Sequence, residues 1–319
     1  MEEKFSLLIR LLAFAGVLTV FFEILKWHGR QRAAKDIRGF SNISLINLSL
    51  RALFSRLSSE RIRRFSVDFG LTAQELNNSD DPIIWVQKLA RRYADHFGLY
   101  TSGVVVAFRS DLKAPGCVEL SPSSEFFVDL KSDLRNSRDE INAILAHEIT
   151  HIFLFRAGIQ LEPTFTNEVL TDTTALFLGC GTAIINAASV KTRTVGNEYI
   201  SNARKLGYLS VDEFGYVLAK RDMFFKKKKN LKIVNGLPRW GYHAGRRRLK
   251  TELNTPPYST PGIYTLIRRL MLPKQKNSPF ERGTVFACAI CGQQMKIPIL
   301  KKRLSVTCPT CREQFLCYS

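Results

Sequence analysis

The 319-residue sequence predicts an α+β fold, in which a small sheet and helices make up a body and a small β module closes the chain. Three observations carry this. Short β-rich runs parted by turn residues stand ahead of a long apolar helix, cysteines crowd the last 32 residues in two close pairs, and the charge changes abruptly along the chain. Residues 220–319 hold 22 basic and 4 acidic side chains, so this segment supplies +18 of the net +19 and the rest is nearly neutral. A hydrophobic fraction of 45% suffices for a sizeable core and excludes a chain disordered throughout. Only Cys117 and Cys180 lie in the body, against Cys288, Cys291, Cys308, Cys311 and Cys317 at the end. That usage speaks for a reducing compartment and against a disulfide framework.

Residues 1–38 are a hydrophobic amino-terminal segment with a basic flank. As a helix, 5–25 would be about 31 Å long, close to the thickness of a bilayer's hydrocarbon core. Lys26, Arg30, Arg32, Lys35 and Arg38 follow it, so an anchor here would leave the rest of the chain on the cytoplasmic side. The competing reading is a helix packed on the body. Residues 39–222 form that body. Helical apolar spacing covers 43–65 and 82–96, and β-rich runs follow at 103–108, 117–120 and 126–130. Ser137 with Glu140 has the pattern of a capping box that opens the long apolar helix, and Gly158 stops it. A further helix begins near Thr166 and runs through Leu178. Ser210 with Glu213 is a second capping box, opening a helix to about Ala219. Residues 223–282, with four consecutive lysines from Lys226, three arginines from Arg246 and a proline-rich stretch, read as a basic linker. Residues 283–319 hold the two cysteine pairs.

Within the long helix stands His147-Glu148-Ile149-Thr150-His151. Residues four apart share a helix face, so both imidazoles can reach one zinc ion while Glu148 projects beside its open coordination position. A Glu there can take a proton from zinc-activated water and give it to the leaving amine. These polar side chains sit in an otherwise apolar helix, where burial is costly unless they coordinate something. Next comes Asn167-Glu168-Val169-Leu170-Thr171-Asp172, with Glu168 placed 17 residues beyond His151. Glu168 can be the third ligand, and Asp172, one turn on, can accept the free N–H of a ligand His. Glu162 is a weaker third-ligand candidate. The run 126–130 is expected as the edge strand that pairs with an extended substrate.

The paired-His helix followed by Asn-Glu-x-x-Thr-Asp resembles the gluzincin class of zinc metallopeptidases over about residues 104–185. The resemblance implies a zincin-like metallopeptidase domain in which Glu168 completes the catalytic zinc site and Asp172 supports a ligand His. The metzincin pattern does not fit, because Leu154 and Ala157 stand where it needs Gly and His or Asp. The oxyanion-stabilising residue stays open between Tyr208, His243 or another.

Cys288-Ala-Ile-Cys291 and, 16 residues on, Cys308-Pro-Thr-Cys311 have the spacing of a closed four-thiolate site, which makes a structural zinc the expected occupant. The segment resembles the zinc-ribbon family, with a hairpin expected between strands at 295–299 and 304–307 and with Phe315 over the metal. Cys180 and Cys317 read as packing thiols. Two zinc ions per chain follow. The leading expectation is a cytoplasm-facing zinc endopeptidase acting on protein or peptide. Its basic tail would meet an anionic membrane surface, with nucleic acid the less favoured partner. The alternatives are a DNA-associated protease resembling the SprT type and a non-catalytic zinc-binding adaptor.

Overall fold

The computed structural model describes residues 39–71, 81–100, 102–188, 190–195, 198–203, 206–227, 233–255, 257–259, 283–298 and 303–318. The segment 5–25, read as an anchor, lies outside them. Every element below belongs to the unit Asn42–Ser319.

Helix α1 (Ile43–Arg56) buries Ile46, Leu50, Leu53 and Phe54, positions three and four apart as one helix face requires. The helical spacing over 43–65 is broken at Leu57, whose extended backbone ends α1; Ser58 then caps α2 (Ser59–Arg63) by accepting from the Arg61 amide. In α3 (Pro82–His96) the Asp81 carboxylate accepts from the Ile83 amide at 2.7 Å, and proline stands in the first turn.

Strands β1 (Gly103–Arg109), β2 (Gly116–Glu119) and β3 (Glu125–Lys131) form one sheet in the order β1-β3-β2, with β1 parallel and β2 antiparallel to β3. Alternation buries Val104, Val106, Phe126, Val128 and Leu130 on one face. This corrects one expectation. The run 126–130 is the central strand, where its apolar face is covered, and the strand bordering the paired-His helix as a sheet edge is β2.

That helix, α4 (Arg138–Arg156), packs against β2, β3 and α3. Gly158 at φ 62 ends it: the Ile159 amide donates to the Leu154 carbonyl and the Gly158 amide to Phe155. The capping box expected at its start is absent. Ser137 has ψ 75 rather than the extended conformation that aims a hydroxyl at the first turn, because its amide is tied to the Leu134 carbonyl of the preceding tight turn. Helix α5 (Thr164–Ala175) passes through a π-helical turn (Leu176–Cys180), kinked at Gly179 with φ 114, into α6 (Gly181–Ala187). Among the described residues, Thr164–Ala187 is the one span with the length and composition to cross a membrane, but 94% of its apolar window is buried in the protein. It is the core helix against which α1 and α4 pack. A hairpin of β4 (Val190–Val195) and β5 (Glu198–Ala203) follows.

At α7 (Val211–Phe224) the second capping box is formed: Ser210 accepts from the Glu213 amide and Glu213 from the Ser210 amide. The stretch read as a basic linker contains α8 (Leu237–Asn254), packed along α7. Its buried face is Pro238, Gly241, Tyr242, Gly245 and Leu249, at helical spacing but mostly of small residues, which the arginine run conceals. A Cβ on Gly215 would stand 2.0 Å from the Gly241 carbonyl oxygen, so the two backbones touch.

The cysteine segment forms two antiparallel hairpins, β6 (Gly283–Ala287) with β7 (Gln294–Pro298) and β8 (Arg303–Thr307) with β9 (Gln314–Tyr318). Among the described residues, the strands near 295–298 and 304–307 do not pair with each other as the expected hairpin. Each Cys-x-x-Cys closes its own hairpin instead, because the tight turn brings the flanking strands together: Gly292 donates to the Cys288 carbonyl and Arg312 to Cys308, with φ 70 and 62 at the two turn residues.

Candidate metal centres

Helix α4 and helix α5 face each other across one cleft of about 450 Å³, walled on the third side by β2 and on the fourth by the loop Leu206–Tyr208. Spacing by four on α4 brings His147 Nε2 to 3.1 Å from His151 Nε2. From α5, Glu168 Oε2 stands 3.1 Å from His147 Nε2 and 3.3 Å from His151 Nε2. Glu168 and not Glu162 completes the trio.

The far side of each ring is held. His147 Nδ1 is 2.9 Å from Asp172 Oδ1, and Asp172 is itself buried and accepts from the amides of Tyr208 and Leu209 through Oδ2. His151 Nδ1 is 3.2 Å from Thr171 Oγ1, whose hydroxyl donates to the Asn167 carbonyl. The Thr171 hydroxyl proton is spent on that carbonyl, so the imidazole N–H must point at Thr171; Asp172, an acceptor only, fixes the other ring likewise. Both Nε2 atoms therefore turn lone pairs toward Glu168. With both rings neutral, three acceptors converge on one point, which a metal ion, or a proton on His147, would satisfy.

The separations suit a metal ion. Two ligands at about 2.0–2.1 Å from a tetrahedral ion lie about 3.3–3.4 Å apart, close to the 3.1–3.3 Å found. Positive charge is favoured here, carried by His147 itself when no ion is bound. Burial alone would lower the His147 imidazole, yet its bonds to Asp172 and Glu168 hold it well above the ordinary range. Burial would raise Glu168, and its contacts with His147 and His151 bring it down to about 2. The site is built to hold positive charge.

Glu148 lies beside these residues, 8% exposed, and burial raises its carboxyl above the usual range. Its place depends on Gly116 of β2: a Cβ there would stand 2.9 Å from Glu148 Oε1 and 2.5 Å from Ile144. Tyr208 lines the cleft with its ring stacked at 22° and 6.4 Å from His147, and burial beside Glu168, Asp172 and Glu148 raises its hydroxyl. His243 is exposed on α8 and does not line the cleft. Sequence reasoning missed Thr171 and Gly116. Thr171 was legible inside the Asn-Glu-x-x-Thr-Asp motif as the residue one turn from Asn167; Gly116 had no signal, since its role appears only when β2 meets α4.

Cys288, Cys291, Cys308 and Cys311 are fully buried and form the second group with metal-binding geometry. Sγ of Cys288 is 3.6 Å from that of Cys311, and Cys291 is 3.6 Å from Cys308. Four thiolates at about 2.3 Å from a tetrahedral ion would be about 3.8 Å apart, whereas a disulfide would bring two sulfurs to about 2.05 Å. Both centres are compatible with zinc. Cys180 and Cys317 are buried outside either cluster, and Phe315 packs against Tyr258.

No protein-family model, no curated protein and no solved structure matches this chain, so its function has to be read from the two centres themselves.

Proposed function

We propose that the chain is a zinc-dependent endopeptidase with a gluzincin-type catalytic centre and a structural zinc in its cysteine module. The observation that supports this reading is the convergence of His147, His151 and Glu168 on one point beside the buried carboxylate of Glu148. Zinc held by those three residues would supply the Lewis acidity that polarises a peptide carbonyl and makes water nucleophilic near neutral pH.

The chain's own groups do the rest. Glu148 accepts the proton of the attacking water and delivers it to the departing amine. Asp172 and Thr171 keep both imidazoles in the tautomer that leaves Nε2 free, and they resist ring rotation. Tyr208 contributes a hydroxyl donor for the charge that develops on the carbonyl oxygen. Strand β2 has β3 as its sole sheet neighbour among the described residues, so its other edge can pair with an extended peptide backbone lying in the cleft.

Glu148→Gln separates binding from chemistry because it keeps the side chain's size and removes the base. Metal content should be unchanged, while cleavage of a peptide library falls roughly 10²- to 10⁴-fold. Cleavage at the wild-type rate would end the peptidase assignment.

A further inference from the structure

The cysteine module does not hang free from the body. Its first knuckle meets α7 and α1: the Lys220 ammonium, 0% exposed, donates to the Ala289 carbonyl between Cys288 and Cys291, and a Cβ on Gly292 would stand 2.4 Å from Asn47 Cβ. Its second knuckle meets α2, where Ser59 Oγ donates to the Cys311 carbonyl at 2.9 Å and Arg63 pairs with Glu313 at 3.4 Å.

The two longer helices it touches both reach the histidine centre. The residues just ahead of α7 are Tyr208 and Leu209, whose amides hold Asp172 and through it His147. From Ser210 to Lys220 is ten residues of helix and cap, or about 15 Å at 1.5 Å per residue, with no break between them. Helix α1 packs on α5, which carries Glu168 and Asp172. At its start, Asn42 donates through its backbone and side-chain amides to Glu213, the capping residue of α7. Charge adds to the contact. Four thiolates around a divalent ion would carry about −2 and would face the buried Lys220 amine, which has Glu252 at 3.8 Å on its other side.

We infer that the cysteine module is an internal buttress of the histidine centre, with Lys220 as the positioning residue that joins its metal site, through α7, to Asp172 and His147. This rests on the proposed reading of that centre as a metal site. A metal-filled knuckle fixes one end of α7, and the fixed helix holds the Tyr208 and Leu209 amides on Asp172. Loosening that end leaves the ligand set intact but its support mobile, as with other changes behind a metal ligand.

The test is Lys220→Met in the full chain, which keeps length and packing and removes the charge. Cobalt titration reads both sites, since thiolate coordination gives intense charge-transfer absorption and His/carboxylate coordination does not. We expect the thiolate site to fill, cobalt affinity at the histidine centre to fall about tenfold or more, and hydrogen-exchange protection of the Tyr208 and Leu209 amides to drop. Unchanged affinity and unchanged protection in a chain that binds two ions overturn the buttress alone. A wild-type chain that binds cobalt only through thiolates refutes the metal-centre reading instead, and the exchange measurement then still decides whether Lys220 reaches those amides. Should Lys220→Met fail to fold, the pair Ser59→Ala with Glu313→Ala, which removes the rim contacts and leaves Arg63 on Phe224 of α7, reads the same quantities. A loss of a few-fold at the histidine centre supports the buttress, and no change overturns it.

Discussion

Asp172 uses the two oxygens of its carboxylate for different tasks, one on His147 Nδ1 and the other on the Tyr208 and Leu209 amides. Asparagine can satisfy only one of them. If its oxygen stays on the imidazole, its NH₂ faces two amide donors and the loop must move; if it turns round, the imidazole loses its acceptor. Asp172→Asn should therefore weaken metal binding at the histidine centre about 10- to 100-fold, measured by competition with a chromogenic chelator. Affinity equal to wild type would mean that another group orients His147. The residue types of the centre were legible in the sequence, because His, Glu and Asp at these spacings carry their chemistry with them. The glycines beside it were not. Gly116 and Gly207 matter through what a Cβ would strike, namely Glu148 and Asp172, and those neighbours come from elsewhere in the chain.

At the scale of elements, capping shows how one sequence pattern gives two outcomes. Ser210 and Ser137 stand at the same offset from a Glu, yet only Ser210, extended at ψ 162, closes the box. Local pattern proposes a helix start, and the backbone arriving at it decides whether the hydroxyl can be used. Helix α8 is the larger case. Its arginines resemble a solvated linker, whereas its glycines form the face that lets α7 approach to backbone contact. The expected consequence is measurable. Gly215→Ala puts a methyl against the Gly241 carbonyl, a backbone atom that cannot swing aside, and should lower stability by about 1–3 kcal/mol or more in thermal unfolding of the full chain. A melting curve like that of wild type would show that the helices can part without cost.

For the whole molecule, two separate donor sets predict two metal ions per chain. One would be closed by four buried thiolates; the other has three protein donors and, on the proposed reading, would leave a position for water and substrate. His147→Ala should leave a single ion by elemental analysis, held by the cysteines. A wild-type chain with one ion, unaffected by His147→Ala, would overturn the proposed catalytic centre. The seating of the module on α1, α2 and α7 makes it part of the body's structure, where a chain of basic residues had suggested a tether.

By itself the sequence determined the candidate ligand types and their spacing along helices and knuckles, strands β1, β2, β3, β7 and β8, the limits of α3 and α4, and the uneven charge. Each of these is set by residues within a few positions of one another, where helix and strand periods apply directly. Tertiary structure alone decided which strand became the edge beside the cleft, which hairpins the cysteines close, that Tyr208 and not His243 stands over the histidines, and that the cysteine module rests on α7. Those outcomes depend on pairings between distant segments, chosen by which apolar faces can be covered together and which backbones can touch, and no local spacing encodes them.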